Sequence, residues 1–380
     1  MTDTSPLNVL HVAGNYPIPP LGGMEAVTYF LPQELARQGH RVRVYGGSPT
    51  PRHDVVSGAE FRGLPAFRFS NWVRVPSWSA YRFLLQGLEW AEVVHIHNPP
   101  EVIPLLGGRA ALREGKPVVY SVLSPGTLRR HPSLPYRAFG SVDELLVTHQ
   151  LRRATAVQVK NSLDEVAMKG LNDRVRLIPD GIETGFFVPA PGPSTFLEDH
   201  GRVGREPFLL YVGRIHPLKG VSDFVRMAGL LRRDHPHLLA SVVGPGTPEE
   251  TAQLRSTIQR EGLEGTVEYV GTVTTEEKIR AIDAATVVVV PSQSDFVEGF
   301  SIISSEAWAR RKPVAAYPVG ALKVRVQNGV NGYLADRVDP KALATAVTKC
   351  LSLTVQEVPR DVMPWSEVAR EFGTLYRGGP

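Results

Sequence analysis

The chain has 380 residues, enough for two ordinary domains with separate cores. At 42% hydrophobic and 21% charged it is neither disordered nor fibrous, and a net charge of +4 favours anionic ligands only weakly. A single cysteine, Cys350, excludes an intrachain disulfide, and no apolar run nears the roughly 20 residues that cross a bilayer. The start, Met-Thr-Asp-Thr-Ser-Pro, lacks the basic and apolar regions of a signal peptide. A cytoplasmic enzyme is the expectation, with room for peripheral contact at the inner face of a membrane and no nucleic-acid partner.

Asn8 to Ala13 reads as a first strand, Gly14 to Gly23 as a Pro/Gly loop and Met24 to Gln38 as an amphipathic helix. Arg41 to Tyr45 is a second strand. Strand, glycine loop, helix, strand is the opening of a doubly wound domain. Further strands are expected at Glu92–Ile96, Pro117–Val122 and Thr155–Val159, the last followed by an Asn161-Ser162 helix cap. His95 and His97, at i and i+2, suggest either a metal site or packed strand-end residues; the sequence offers no third ligand nearby. Arg129, Arg130, His131 and Arg137 lie among apolar residues in a loop that could dock an anionic acceptor or a membrane surface, or simply be solvated. The stretch 188–206 is rich in Pro and Gly without periodicity and reads as a linker.

Beyond it come strands at Phe208–Val212, Leu239–Val243 and Val267–Val273. Thr286 to Val290 is a short β-branched run that reads as a buried strand. It leads through Pro291-Ser292 to Glu298-Gly-Phe-Ser-Ile-Ile-Ser-Ser-Glu306. Gly299 permits a tight turn, and a helix is expected from Ser301 to before Pro313. The free N–H groups of Phe300, Ser301 and Ile302 would face a phosphate, with Glu298 in the turn and Glu306 in the helix. Glu306 and Arg310 could instead be an ordinary i,i+4 helix pair. Trp365 to Tyr376 is a last amphipathic helix.

Glu298 and Glu306 enclose seven residues, and this resembles the E-x7-E motif of the retaining, nucleotide-sugar-dependent glycosyltransferases of family 4 (glycosyl transferases group 1). Gly213-Arg214-Ile-His-Pro-Leu-Lys219-Gly220 resembles their G-R-x(4)-K-G signature. Gly22-Gly23 resembles their Gly-Gly loop, Gly244-Pro-Gly246 their V-G-x-G loop and Ile178-Pro-Asp-Gly181 their Ile-Pro-Asn-Gly segment. The resemblance covers nearly the whole chain. It implies an α/β GT-B architecture: two Rossmann-like doubly wound domains facing a central cleft. Residues 1–187 would form the acceptor domain, with helix 364–380 packing back on it. Residues 207–363 would bind the nucleotide sugar.

By the same resemblance the donor lies against Gly22, Gly23, Gly213, Gly244 and Val273; His97 and Asn98, at a strand end, could face the crevice and touch the acceptor with the basic loop. Arg214 and Lys219 grip the leaving diphosphate, since Arg is a two-pronged donor and Lys a mobile point charge. Glu298 holds donor-sugar hydroxyls and Glu306 the ribose. No Asp-x-Asp occurs, so no metal cofactor is expected; Arg214, Lys219 and the helix N-terminus would do its work. Transfer retains configuration through front-face departure, and the leaving phosphate helps to remove the acceptor proton. Three positions depart from the pattern: Leu123 stands where a histidine is usual, and Ala321 and Lys323 interrupt a Gly-Gly…Glu segment. A family member that binds nucleotide sugars without turnover is therefore an alternative. A GT-B epimerase is another, against which the paired signatures argue. The missing G-x-G-x-x-G argues against a nicotinamide dehydrogenase.

Overall fold

The computed structural model describes residues 5–20, 22–68, 74–98, 101–122, 145–189 and 194–378. Two compact units emerge: Met1–Gly181 together with Trp365–Pro380, and Ile182–Pro364. No helix among the described residues is long and apolar enough to cross a membrane.

In the first unit, β1 (Asn8–Asn15), β2 (Arg41–Ser48), β6 (Val93–His97), β7 (Val118–Ser121), β8 (Ala156–Val159) and β9 (Val175–Leu177) pair in parallel, in the order β2-β1-β6-β7-β8-β9. Their apolar runs suit strands covered on both faces. The order reverses between β1 and β6, so a crevice opens at the carboxyl ends of those two strands. Beyond β2, which lies parallel to β4, the sheet continues as a hairpin of β3 (Arg52–Val56) and β4 (Ala59–Arg68), with β5 (Arg74–Pro76) on β4. The hairpin turns at Ser57 and Gly58, both at positive φ, as a two-residue turn requires. The helix Trp365–Tyr376 belongs to this unit, and its start packs where Gly181 has no side chain: a Cβ there would lie 2.7 Å from the Trp365 ring.

His95 and His97 are not a pair, as expected from sequence, but part of a trio. The β1–β6 register sets His11 opposite His95, and all three imidazoles are buried on one face. His95 Nδ1 lies 2.6 Å from the Tyr376 hydroxyl and its Nε2 2.7 Å from Ser121 Oγ, while His11 Nδ1 lies 2.8 Å from His97 Nε2. A nitrogen from each ring falls within 4.8 Å of the others, so distance alone would admit a metal ion. Both nitrogens of His95 already serve hydrogen bonds, however, and an ion would have to displace them.

In the second unit β10 (Phe208–Val212), β11 (Leu239–Val243), β12 (Val267–Gly271), β13 (Val287–Val290), β14 (Val314–Ala316) and β15 (Gly332–Leu334) form a parallel sheet in the order β12-β11-β10-β13-β14-β15. Its switch point lies between β10 and β13. The linker reading of 188–206 needs correction. The boundary falls at Gly181, so that Phe186, expected in the first domain, and Phe196, inside 188–206, are both buried in the second unit's core. Pro and Gly remove periodicity without removing packing: Phe196 within the stretch is buried.

Burial lowers the pKa of all three histidines, that of His11 from 6.5 to about 3. They stay neutral when folded and take up protons on unfolding. Their contribution is therefore intact above 6.5 and is lost as pH falls from there, by up to about 1.4 kcal/mol per unit for each group. Glu101, which burial raises to about 7, acts in the opposite sense: its contribution is full below 4.5 and is lost as pH rises toward 7. The urea midpoint of the wild type should drop between pH 7 and pH 5, and His11→Gln should show a smaller drop. Equal drops in the two proteins would place the titration elsewhere.

Candidate functional site

The loops after β10 and β11 meet at two glycines. A Cβ on Gly244, at φ +135°, would come within 2.1 Å of the Gly213 carbonyl oxygen, so only glycine allows this approach. The Tyr211 and Tyr269 hydroxyls donate to the Arg214 and Gly244 carbonyls at 2.7 and 3.0 Å. Between them the Arg214 side chain stands exposed and makes no ion pair or hydrogen bond among the described residues. At the far end of the loop, a Cβ on Gly220 would lie 1.8 Å from the Pro291 carbonyl oxygen. The loop is thereby pressed against the end of β13, and Lys219 reaches the turn beyond it. Val273 is partly buried at the edge of this unit's core, just past β12.

That turn holds Glu298, 2% exposed. Its Oε1 accepts from Lys219 Nζ at 2.6 Å and from the Ser292 hydroxyl at 2.5 Å, while its Oε2 accepts from no described group. Glu306 repeats the pattern more than one turn into the helix Ile302–Ala309: Oε1 accepts from Lys278 Nζ at 2.6 Å and Oε2 has no partner among the described residues. Burial raises the Glu306 pKa and the Lys278 charge opposes the rise. The anticipated alternative, a Glu306–Arg310 pair, does not form. Arg310 instead makes two 2.7 Å hydrogen bonds to Asp283.

The helix starts one residue later than expected, with Ser301 as its N-cap at φ +72°, a left-handed conformation that costs a non-glycine residue strain. Arg325 explains why it persists. Its guanidinium donates to the Phe300 and Ser301 carbonyls at 2.6 and 3.2 Å, to Ser305 Oγ at 2.8 Å and to Asp361 at 2.6 Å, and lies 3.7 Å from the Phe300 ring centroid. In a trans peptide the N–H points opposite to the C=O. Holding those two carbonyls therefore turns the N–H groups of Ser301 and Ile302 away from Arg325, free to meet an anion. Neither Arg325 nor Lys278 was found from the sequence, because each reaches its partner across the fold. Lys323, which had clouded the region, pairs with Asp295 at 2.8 Å.

In the first unit a small pocket of about 40 Å³ opens at the β1–β6 switch point, and His97, Asn98, Ser121 and Lys160 line it. Glu101 and Gly14, neither of them singled out in the sequence, also line it. A Cβ on Gly14 would lie 1.2 Å from Glu101 Oε2, so the glycine makes room for the carboxylate. Asn98, at φ +49°, donates to Glu101 Oε1 at 2.9 Å. Lys160 is neutralised by Asp180 at 2.8 Å. Gly22 and Gly23 form the cap and first residue of helix Gly23–Arg37, outside this pocket's lining. Arg129, Arg130, His131 and Leu123 lie outside the described residues.

Two family models match the chain: one described as Glycosyltransferase Family 4 over residues 21–186, and one as Glycosyl transferases group 1 over residues 194–363. The chain belongs to this glycosyltransferase family. Among its curated relatives is a D-inositol 3-phosphate glycosyltransferase of Nocardioides sp., 27% identical over 94% of this chain and 85% of the relative. The enzyme of that name from Pseudarthrobacter chlorophenolicus is 33% identical over 43% of this chain and 39% of its own length. Solved structures show the same GT-B fold. Sucrose-phosphate synthase from Thermosynechococcus elongatus has a TM-score of 0.76 at 21% identity, over 98% of both chains. HepE of Anabaena, in complex with UDP-glucose, has a TM-score of 0.69 at 16% identity, over 97% of this chain and 95% of that one.

For this family member, Arg325→Met should keep the aliphatic packing and leave two carbonyls and Asp361 without their donor. Breaking a buried charged network costs roughly 3–5 kcal/mol. We expect a lower urea midpoint and weaker binding of a nucleoside diphosphate; an unchanged midpoint would mean that Arg325 does not hold the turn.

Proposed function

We propose that the chain is a retaining glycosyltransferase that moves a sugar from a UDP- or GDP-sugar to a hydroxyl of a glycan, lipid-linked or small-molecule acceptor, without a metal ion. One observation carries the reading. At the switch point of the second unit, two buried carboxylates flank a helix N-terminus, and each has one oxygen fixed by a lysine and one free. The family membership supports it, as does the UDP-glucose complex of a protein with this fold.

The diphosphate would lie against the Ser301 and Ile302 N–H groups and the unpaired Arg214. As the glycosidic C–O bond breaks, negative charge grows on the diphosphate oxygen, and fixed positive groups lower the barrier because they need not reorganise. Lys219 already bonds Glu298, so it joins the two halves of the donor: one contact to the carboxylate that receives sugar hydroxyls, another to phosphate. Glu306 Oε2 would take the ribose. The acceptor would be held on the first unit, at the pocket of His97, Asn98 and Glu101. Its proton would pass to the departing phosphate oxygen, which becomes basic as the bond breaks.

The test is product formation from UDP- and GDP-sugars with an acceptor panel, in the presence and absence of EDTA. Turnover should survive EDTA, and the product should keep the donor's anomeric configuration. Nucleotide binding without turnover on any acceptor would return the binding-protein reading, and a strict need for magnesium or manganese would remove metal independence.

Arg214→Ala should lower kcat by about 10²–10³, the usual effect of deleting one electrostatic stabiliser of a transition state. Glu298→Gln should also act on kcat and leave free nucleoside diphosphate binding near wild type, because the free product lacks the sugar. Less than threefold change in kcat for both variants, with folding intact, would refute these roles.

A further inference from the structure

We propose that Lys278 is a positioning residue for the nucleotide: it occupies Oε1 of Glu306, fixes that carboxylate in the buried helix and leaves Oε2 alone to accept ribose hydroxyls. The proposal rests on the reading of Glu306 as the ribose ligand.

Glu306 is 5% exposed and needs a counter-charge. The neighbour on its own helix cannot supply one. Arg310 is committed to Asp283 and to the Phe186 and Val188 carbonyls. The charge comes instead from the helix Thr275–Ala284, whose Lys278 Nζ lies 2.6 Å from Oε1 and 5.0 Å from the Phe186 ring centroid. Phe186 is fully buried, so the ammonium sits between an aromatic face and the carboxylate. Lysine suits the task better than arginine. A guanidinium would take both carboxylate oxygens as a fork, whereas an ammonium is a point charge that can occupy one.

The other charges around Glu306 do not replace Lys278. Glu183, whose Oε1 accepts from the Thr275 hydroxyl at 3.1 Å, repels it. Arg310 and Asp283 cancel each other. Lys312, its pKa lowered by burial, lies near that same pair. Without Lys278, burial and Glu183 together would keep Glu306 protonated further up the pH scale. A protonated carboxyl is a poorer acceptor, so nucleotide affinity in such a variant should rise with pH.

The experiment is calorimetric titration of UDP and GDP, and of the 2′,3′-dideoxy form of whichever binds, into wild type, Lys278→Met, Lys278→Gln and Lys278→Arg. Relative to wild type at the same pH, Lys278→Met and Lys278→Gln should bind at least about fivefold more weakly near pH 6 and recover toward pH 8.5, as an acceptor that must ionise would. Lys278→Arg should show a loss that does not change with pH, and the dideoxy nucleotide should show no recovery in any variant. The same loss at every pH in Lys278→Met, or none at all, would overturn the proposal. If neither Met nor Gln variant folds, a pH-dependent loss in Lys278→Arg would overturn it. Two further outcomes concern the underlying readings: wild type that binds neither nucleotide removes the proposed function, and wild type that binds the dideoxy form as tightly as the ribose form removes Glu306 as ribose ligand.

Discussion

A carboxylate is expensive to bury unless something compensates its charge, and the second unit buries two within nine residues. The compensation is the same for both: one lysine, arriving from another element, bonded to one oxygen at 2.6 Å. Much of the local construction serves this arrangement. Gly220 must lack a side chain for the loop bearing Lys219 to press on Pro291, and Gly320 must lack one for the Glu298 carbonyl to pass within 2.1 Å of its would-be Cβ. Phe186 must be buried in this unit to give Lys278 a face to lie on. The result is a site whose fixed negative groups are already neutralised, so that an anionic ligand meets no net repulsion from them.

The positive groups divide into two kinds for the same reason. Lys219 and Lys278 are committed to carboxylates, and Arg325 is committed to backbone carbonyls, a hydroxyl and Asp361. Arg214 alone among the four stands exposed with no described partner. A diphosphate would share Lys219 with Glu298 but would meet Arg214 with no prior partner among the described residues. On the proposed reading, Arg214 would be the group from which transition-state stabilisation can be drawn without loss elsewhere, whereas Lys219 and Arg325 are bonded to the turn itself.

How much of this could be read from sequence depended on how far apart partners lie along the chain. The strand β13, its glycine turn and the helix at Ile302 were legible because a run of four valines, one glycine and a distant proline all act locally. So were the loop from Gly213 to Gly220 and the helix Trp365–Tyr376. The lysine on Glu306 was not, since 28 residues separate it from its partner and nothing in the helix Thr275–Ala284 distinguishes a lysine turned inward from one in solvent. His11 was missed because only the β1–β6 register reveals that it faces His95. The stretch 188–206 reads as linker because its prolines and glycines conceal what Phe196 does, and Phe186, expected in the first domain, packs in the second.

The first unit shows the complementary case, a site with no motif at all. Its pocket is defined by a glycine that makes room for Glu101, an asparagine in the left-handed region, and a lysine already neutralised by Asp180. None of these features has a periodicity or a spacing; each is a consequence of where strand ends meet at a topological switch point. The pocket shares His97 and Ser121 with the buried histidine trio, whose His95 bonds Tyr376 and Ser121, and its Lys160–Asp180 pair is itself buried. In the second unit, altering Lys219 or Lys278 leaves a buried carboxylate without its counter-charge.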